Sequence, residues 1–393
     1  MLETTARMLA DRHGRCPTAD EHDRMRPETD LLTPMVIRGL TLPNRVAMAP
    51  MCQYVAKDGF ADDWHLVHLG SRACGGVGLI VVEATGVLPE ARITPGCLGL
   101  WKDDQIEPLA RIVKFVHGQG KKIGIQIAHA GRKSSCDVPW KGGEPLMEDE
   151  GGWPVVGPSP VPFGMGSPLP TELDVAGLER VAEAFIASAH RAIQAGFDLI
   201  EIHAAHGYLF HSFLSPISNR RKDGYGGSLD NRMRLLLEVA GRVRAAIPES
   251  MPLFVRISAT DWVEEGWDGP QSVTLARKLK AAGVDLIDVS TGGTVPVASI
   301  PVSKGYQVPF AADIRREAGI ATGAVGLITE PGEANDIICR GDADVIFIGR
   351  QLLREPYWAI RAQTEMEAEA TWPLPYGYAV RRRSKMKLEG GKG

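Results

Sequence analysis

The sequence lacks several features that would have fixed its class at once. Its six cysteines, at 16, 52, 74, 97, 136 and 339, form no Cys-x-x-Cys pair. This argues against a zinc ribbon and against the ligand spacing of an iron–sulfur cluster. Isolated cysteines in a chain of 393 residues fit a reducing, cytoplasmic compartment. Neither sign of charge is in large excess. A formal net charge of -4 gives no broad basic surface, so no nucleic-acid partner is expected. No apolar run approaches membrane-spanning length, so no membrane partner is expected either. Residues 1–28 carry Arg, Asp, Glu and His throughout and have no hydrophobic core, which is not the pattern of a secretory signal. They read as a flexible N-terminal extension, and the Arg/Lys-rich residues 381–393 read as a solvated basic tail.

Between these ends, residues 29–380 read as one domain. The whole chain is 44% hydrophobic and 23% charged, the mix of a globular protein with a substantial core. Eight short apolar runs recur, at 45–49, 78–83, 122–127, 197–202, 253–257, 286–290, 321–325 and 345–348. Segments of helical periodicity, such as 177–186 and 231–239, lie between them. Gly196 and Gly283 precede the fourth and sixth runs, where a helix C-cap would lead into a strand. Alternating strands and helices imply a parallel sheet covered on its faces, and eight units is the count of a closed (β/α)8 TIM barrel. An open doubly wound sheet is the runner-up. It calls for Gly-x-Gly-x-x-Gly after the first strand, where this chain has Pro50, Met51, Cys52, Gln53 and Tyr54. Residues 137–174, rich in Pro and Gly, form a long excursion between strands three and four, of the kind that covers a barrel mouth.

Barrel chemistry sits at the carboxyl ends of the strands. Those positions hold Cys52 and Tyr54, Glu83 to Thr85, Gln126 with His129, Arg132 and Lys133, then His203, His206 and Tyr208. Arg256, Ser290 to Gly293, Gly323 to Gly326, and Gly349 with Arg350 complete the ring. Any one of these residues could simply tie down a loop; the convergence of so many needs a reason, because unpaired burial of polar groups is costly. Glycines at strands seven and eight together with the Arg350 guanidinium suggest a phosphate site.

The stretch "EIHAAHGYLFHSFLSP", residues 201–216, admits three readings. As a metal site it lacks the Glu of His-Glu-x-x-His, and Glu201 is a weak third ligand. Core packing suits one histidine better than two beside a tyrosine. As a donor pair, two imidazole N–H groups would polarise a carbonyl while Tyr208 supplies a proton. The residues by themselves favour the donor pair only modestly over a metal.

The segments "NRVAMAPMCQY", "GVGLIVVEATGV", "IGIQIAHAGRK", "IEIHAAHGYLFHSFLSPISNRRKDGYGGSLDNRMR", "LFVRISATDW" and "FIGRQLLREP" resemble the Old Yellow Enzyme family of flavin-dependent ene-reductases, most closely its bacterial thermophilic-like branch. The likeness runs from about Leu32 to Tyr376. It implies non-covalent FMN, reduction by NADPH or NADH, hydride transfer to a small-molecule activated alkene, and a homodimer or homotetramer. On this resemblance His203 and His206 hold the substrate oxygen, Tyr208 donates the proton, Cys52 tunes the flavin and Tyr54 contacts substrate. Pro50, Met51, Cys52, Ala84, Gln126 and Arg256 match flavin-ring positions. Gly326, Gly349 and Arg350 match the phosphate site, and no metal is expected. One departure stands out: where the branch often carries an arginine that reaches a neighbouring subunit, this chain has Tyr378, with Arg381 to Arg383 beyond it. Related flavin barrels with an iron–sulfur centre are disfavoured by the single cysteine after position 136. Two competing functions stay open: a metal-dependent barrel hydrolase using His203 and His206, and a protein that stores or senses flavin without turning over an alkene.

Overall fold

The structure is a computed structural model that describes residues 29–380. The extension 1–28 and the tail 381–393, including Arg381 to Arg383, lie outside the described residues. Eight parallel strands close into a barrel: β1 (Val46–Met48), β2 (Leu79–Gly86), β3 (Lys122–Ala128), β4 (Leu199–Ala204), β5 (Leu253–Ser258), β6 (Leu286–Ser290), β7 (Ala321–Ala324) and β8 (Val345–Ile348). Each strand pairs with its sequence neighbours and β8 closes onto β1. This is the (β/α)8 barrel expected from the eight apolar runs. A hairpin, Met35–Ile37 with Leu40–Leu42, precedes it.

Eight helices form the outer layer: α1 (Asp63–Cys74), α2 (Ile106–Gly118), α3 (Val175–Ala195), α4 (Leu229–Ala246), α5 (Gly269–Ala281), α6 (Val308–Ala318), α7 (Pro331–Cys339) and α8 (Trp358–Glu365). Asp174, Ser228 and Asp268 cap α3, α4 and α5 through their side-chain oxygens. Gly196 closes α3 at a φ of 87°, which a side chain would strain. Among the described residues, no helix is long and apolar enough to cross a membrane.

Strand boundaries differ from the sequence expectation where side chains intervene. β4 starts at Leu199 rather than at residue 197, and just before it the Asp198 carboxylate accepts the Ile123 N–H at 2.8 Å. β2 runs on to Gly86 through a bulge between Val82 and Thr85.

Alternate residues climb the inner barrel wall. On β4 they are Leu199, Glu201 and His203; on β5 Phe254, Arg256 and Ser258; on β6 Leu286, Asp288 and Ser290. The lowest of each set packs in a separate inner cluster with Val345 and Phe347. The other face, with Ile200, Ile202, Val255 and Ile257, packs on the helices. Each fully buried side chain of this kind contributes about 1.5–3 kcal/mol. The barrel interior is thus apolar at the amino ends, ionisable midway and polar at the carboxyl mouth.

The excursion covers that mouth. It contains two single turns, at Pro139–Lys141 and Glu148–Glu150, and a short parallel pair, Val156–Gly157 with Thr171–Glu172. Arg132 ties it down by donating to Val161 O and Pro162 O at 3.2 and 3.1 Å and to Thr294 O at 2.6 Å. Beneath it lies a cavity of ≈ 550 Å³ lined by Tyr54, Lys133, Phe163, Tyr208 and Pro296, among others.

Candidate active site

β4 ends in a tight turn that carries three of the expected residues. His203 projects from the strand, His206 adopts a φ of 60°, and Gly207 a φ of 77°. Only glycine fits at 207, since a Cβ there would lie 2.2 Å from Gly293 O. The ring centroids of His203 and His206 are 5.2 Å apart, and those of His203 and Tyr208 are 4.9 Å apart.

Hydrogen bonds set the tautomers. His203 Nδ1 accepts the Ala205 N–H at 3.2 Å, so its proton sits on Nε2. His206 Nε2 lies 2.8 Å from Ser290 Oγ. The Ser290 hydroxyl has one proton, and its other acceptor, Gln307 Oε1, is farther away at 3.4 Å and already takes the Thr291 hydroxyl at 2.7 Å. Donation to His206 is therefore favoured and leaves the proton on Nδ1. Each ring then keeps one N–H that no acceptor among the described residues uses. Burial, then the Arg256 charge, pushes both imidazoles well below the usual histidine range, so both are neutral. Burial also raises the Tyr208 phenol well above its ordinary value and keeps it protonated.

The opposite wall is the turn after β1. Tyr54 sits at a φ of 56° and its ring meets Trp140 of the excursion edge-on at 6.3 Å. Glu83 Oε2 accepts the Gln53 N–H at 3.0 Å and anchors this turn. Cys52 is half-buried and its thiol is hydrogen-bonded to that of Cys97, a contact that raises the Cys52 pKa, with burial acting in the same direction. For Cys97 burial acts upward, but hydrogen bonds from Cys52 and Thr94 outweigh it and hold the thiol at about 7.

Between the walls lies the ionisable ring of the barrel. Gln126 Nε2 donates to Glu201 Oε1 at 2.7 Å, and Arg256 Nε pairs with Asp288 Oδ2 at 3.2 Å. Burial raises both carboxyls, Glu201 and Asp288. Glu201 shares the inner face with His203 but is engaged by Gln126. Among the described residues no group of three or more His, Cys, Asp and Glu side chains is placed to hold a metal.

Gly326, Gly349 and Arg350 line a second cavity of ≈ 220 Å³ with Gln307. A Cβ on Gly326 would come within 3.2 Å of Gln307 N, and one on Gly349 within 3.9 Å of Met51 Sδ. Gln307 Oε1 lies 3.4 Å from Ser290 Oγ, the hydroxyl that bonds His206. Pro50 and Met51 are half-buried, and Ala84 is buried beside Tyr208. All the expected residues therefore lie around one mouth, with the glycine–arginine group apart from the histidine–tyrosine group. Sequence reasoning assigns no role to Ser290, Cys97, His211 or Asp261. Ser290 is at a strand end and His211 is within residues 201–216, but their partners lie far along the chain.

The chemistry of these residues suits a flavin mononucleotide. Among the described residues Arg256 Nε makes no hydrogen bond, and Gln126 uses only one N–H, toward Glu201. The second cavity is lined by Gly326, Gly349 and the Arg350 guanidinium, residue types that suit a phosphate.

Comparison with known proteins gives consistent matches. Residues 30–369 match the NADH:flavin oxidoreductase / NADH oxidase family. An NADPH dehydrogenase of Geobacillus thermodenitrificans is 50% identical over 350 residues, covering 88% of this chain and 98% of that protein. Morphinone reductase in complex with tetrahydroNAD superposes with a TM-score of 0.73 at 26% identity, covering 86% of this chain and 91% of that one. An Old Yellow Enzyme homologue from Zymomonas mobilis gives a TM-score of 0.72 at 25% identity, covering 89% and 98%.

Proposed function

This chain belongs to the NADH:flavin oxidoreductase / NADH oxidase family, that of the Old Yellow Enzyme, and from that premise we propose that it reduces activated C=C bonds. It is an FMN-containing oxidoreductase that draws its electrons from NADPH or NADH. The substrates we propose are α,β-unsaturated ketones and aldehydes, nitroalkenes and maleimides, turned over by a ping-pong cycle. When bound, FMN supplies the hydride, taken from the nicotinamide and delivered to the alkene carbon β to the activating group.

The observation that carries this reading is the pair of neutral imidazoles with one free N–H each, beside a protonated tyrosine. His203 Nε2–H and His206 Nδ1–H would grip the carbonyl or nitro oxygen and withdraw electron density from the double bond. Two neutral donors suit this task, because they stabilise developing negative charge without giving up a proton. The Tyr208 hydroxyl would then protonate the α-carbon. Arg256 and Gln126 would hold the flavin ring with Pro50, Met51 and Ala84. Gly326, Gly349 and Arg350 would hold its phosphate. Cys52 would adjust the ring's electronics, and Tyr54 would close the substrate side. A cytoplasmic location and a homodimer or homotetramer complete the proposal. Tyr378, at the end of the described residues, is 87% exposed and free to meet a second copy.

The test is a visible spectrum of the purified protein during anaerobic titration. Yellow protein should bleach with NADPH or NADH and recolour with 2-cyclohexenone. Bleaching without recolouring by any activated alkene would refute the ene-reductase reading and favour a flavin-storing or flavin-sensing role.

A further inference from the structure

The third histidine of residues 201–216 is fully buried, as is Asp261. His211 Nδ1 accepts the Gly207 N–H at 2.8 Å, so its Nε2–H points to Asp261 Oδ1, 2.9 Å away. Asp261 Oδ1 also accepts the Thr294 hydroxyl at 2.7 Å. Its Oδ2 accepts the Ser215 hydroxyl at 2.6 Å and the Trp267 N–H at 2.8 Å. Four donors on one carboxylate require it to be ionised, since a protonated acid or an amide would turn one donor against another. Gly207 lies between His206 and Tyr208. The rest of the turn is held as well: the His206 N–H by Ser258 Oγ at 2.9 Å, and His206 O by Lys133 Nζ at 2.8 Å.

We propose that His211 and Asp261 form a positioning couple that holds the His206–Gly207–Tyr208 turn in register over the barrel mouth. The couple touches no reacting atom. Asp261 fixes the His211 tautomer, and that tautomer presents a lone pair to the one backbone N–H between the two site residues. The turn needs such a partner because His206 is held at a positive φ that a non-glycine residue rarely adopts. Without it, His206 and Tyr208 would lose their shared orientation while the barrel and the flavin side stayed in place. The inference rests on the reading of His203 and His206 as oxygen-binding donors.

The test compares His211→Phe with His211→Gln in the FMN-loaded protein, with 4-hydroxybenzaldehyde as probe and its dissociation constant read from the change in flavin absorbance. His211→Phe should weaken the phenol by at least about tenfold, the cost of an unmet buried N–H. His211→Gln, whose amide can accept from Gly207 and donate to Asp261, should restore binding to within about threefold. FMN affinity should change by less than about twofold in both. Phenol binding within twofold of wild type in His211→Phe would overturn the proposal. So would a Gln variant as impaired as the Phe variant, which would mean that ring packing alone matters. Should His211→Phe not fold, Asp261→Asn replaces it with the same expected and overturning values. Wild-type protein that takes up FMN but binds no phenol would overturn the donor-pair reading and this inference together; phenol binding by wild type with unchanged variants would overturn this inference alone.

Discussion

Two turns face each other across the barrel mouth, and they are built on opposite electrostatic plans. Each holds a non-glycine residue at positive φ, Tyr54 at 56° and His206 at 60°. Each is anchored by a buried carboxyl group. On the Tyr54 side, Glu83 takes the Gln53 N–H, and its neighbour His65 Nε2, 3.6 Å from Glu83 Oε1, makes no hydrogen bond among the described residues. Burial pushes the Glu83 carboxyl well above its usual range. On the His206 side, burial also acts upward on Asp261, but His211, Ser215 and the Trp267 N–H outweigh it and hold the carboxyl at about 2. The difference shows where rigidity is placed. The wall bearing the donor pair rests on a carboxylate saturated with donors; the wall bearing Cys52 and Tyr54 rests on an acid with fewer partners, whose protonated form burial favours.

Four experiments would break or sharpen this contrast. The largest effect should come from His203→Ala combined with His206→Ala. Loss of both donors should lower kcat/KM for 2-cyclohexenone by on the order of a hundredfold or more, and an unchanged rate would remove the distinction between the walls. Tyr208→Phe should slow the alkene half-reaction by about a hundredfold while flavin reduction by NADPH, followed by stopped flow, stays within a few fold. Equal slowing of both halves would indicate a structural fault instead.

The anchors themselves should differ in stability. Asp261→Asn should cost about 2 kcal/mol at pH 7 in denaturant unfolding, because an amide cannot accept from four donors. Glu83→Gln keeps an acceptor for the Gln53 N–H and has the shape of the protonated acid that burial favours, so it should cost less than about 0.5 kcal/mol. Equal costs would erase the proposed difference.

The smallest effect is in the pH dependence. The Asp261 carboxyl is depressed in the folded state, so it binds a proton less readily there than in the unfolded chain. Its stabilisation is therefore fully present above the unfolded value near 3.8 and is lost as pH falls toward about 2. The gap in stability between wild type and Asp261→Asn should narrow over that window. Glu83, raised in the folded state, has the opposite sign: its contribution is present at low pH and declines as pH rises through its folded value.

Much of this architecture is legible in the residue order. The eight apolar runs are the eight barrel strands with shifts of a few residues, and the polar residues after them do gather at one mouth. Both depend on local rules: β-strand residues alternate between faces, and parallel strands joined by helices all end on the same side. Glu201 illustrates the limit of such rules. Its spacing from His203 puts it on the inner face, but only the structure shows that its carboxylate engages Gln126.

The order of residues alone determined the barrel, its covering excursion and the set of side chains at the open end, because periodicity and strand polarity are carried within a few residues of chain. Tertiary structure alone decided which nitrogen of each histidine bears the proton, which thiol meets Cys52, and why His211 and Asp261 are buried without partners among the reacting groups. Those choices depend on donors and acceptors brought within about 3 Å in the right direction. His211 and Asp261 come together only because β4 and β5 pair side by side and set the segments that follow them against each other.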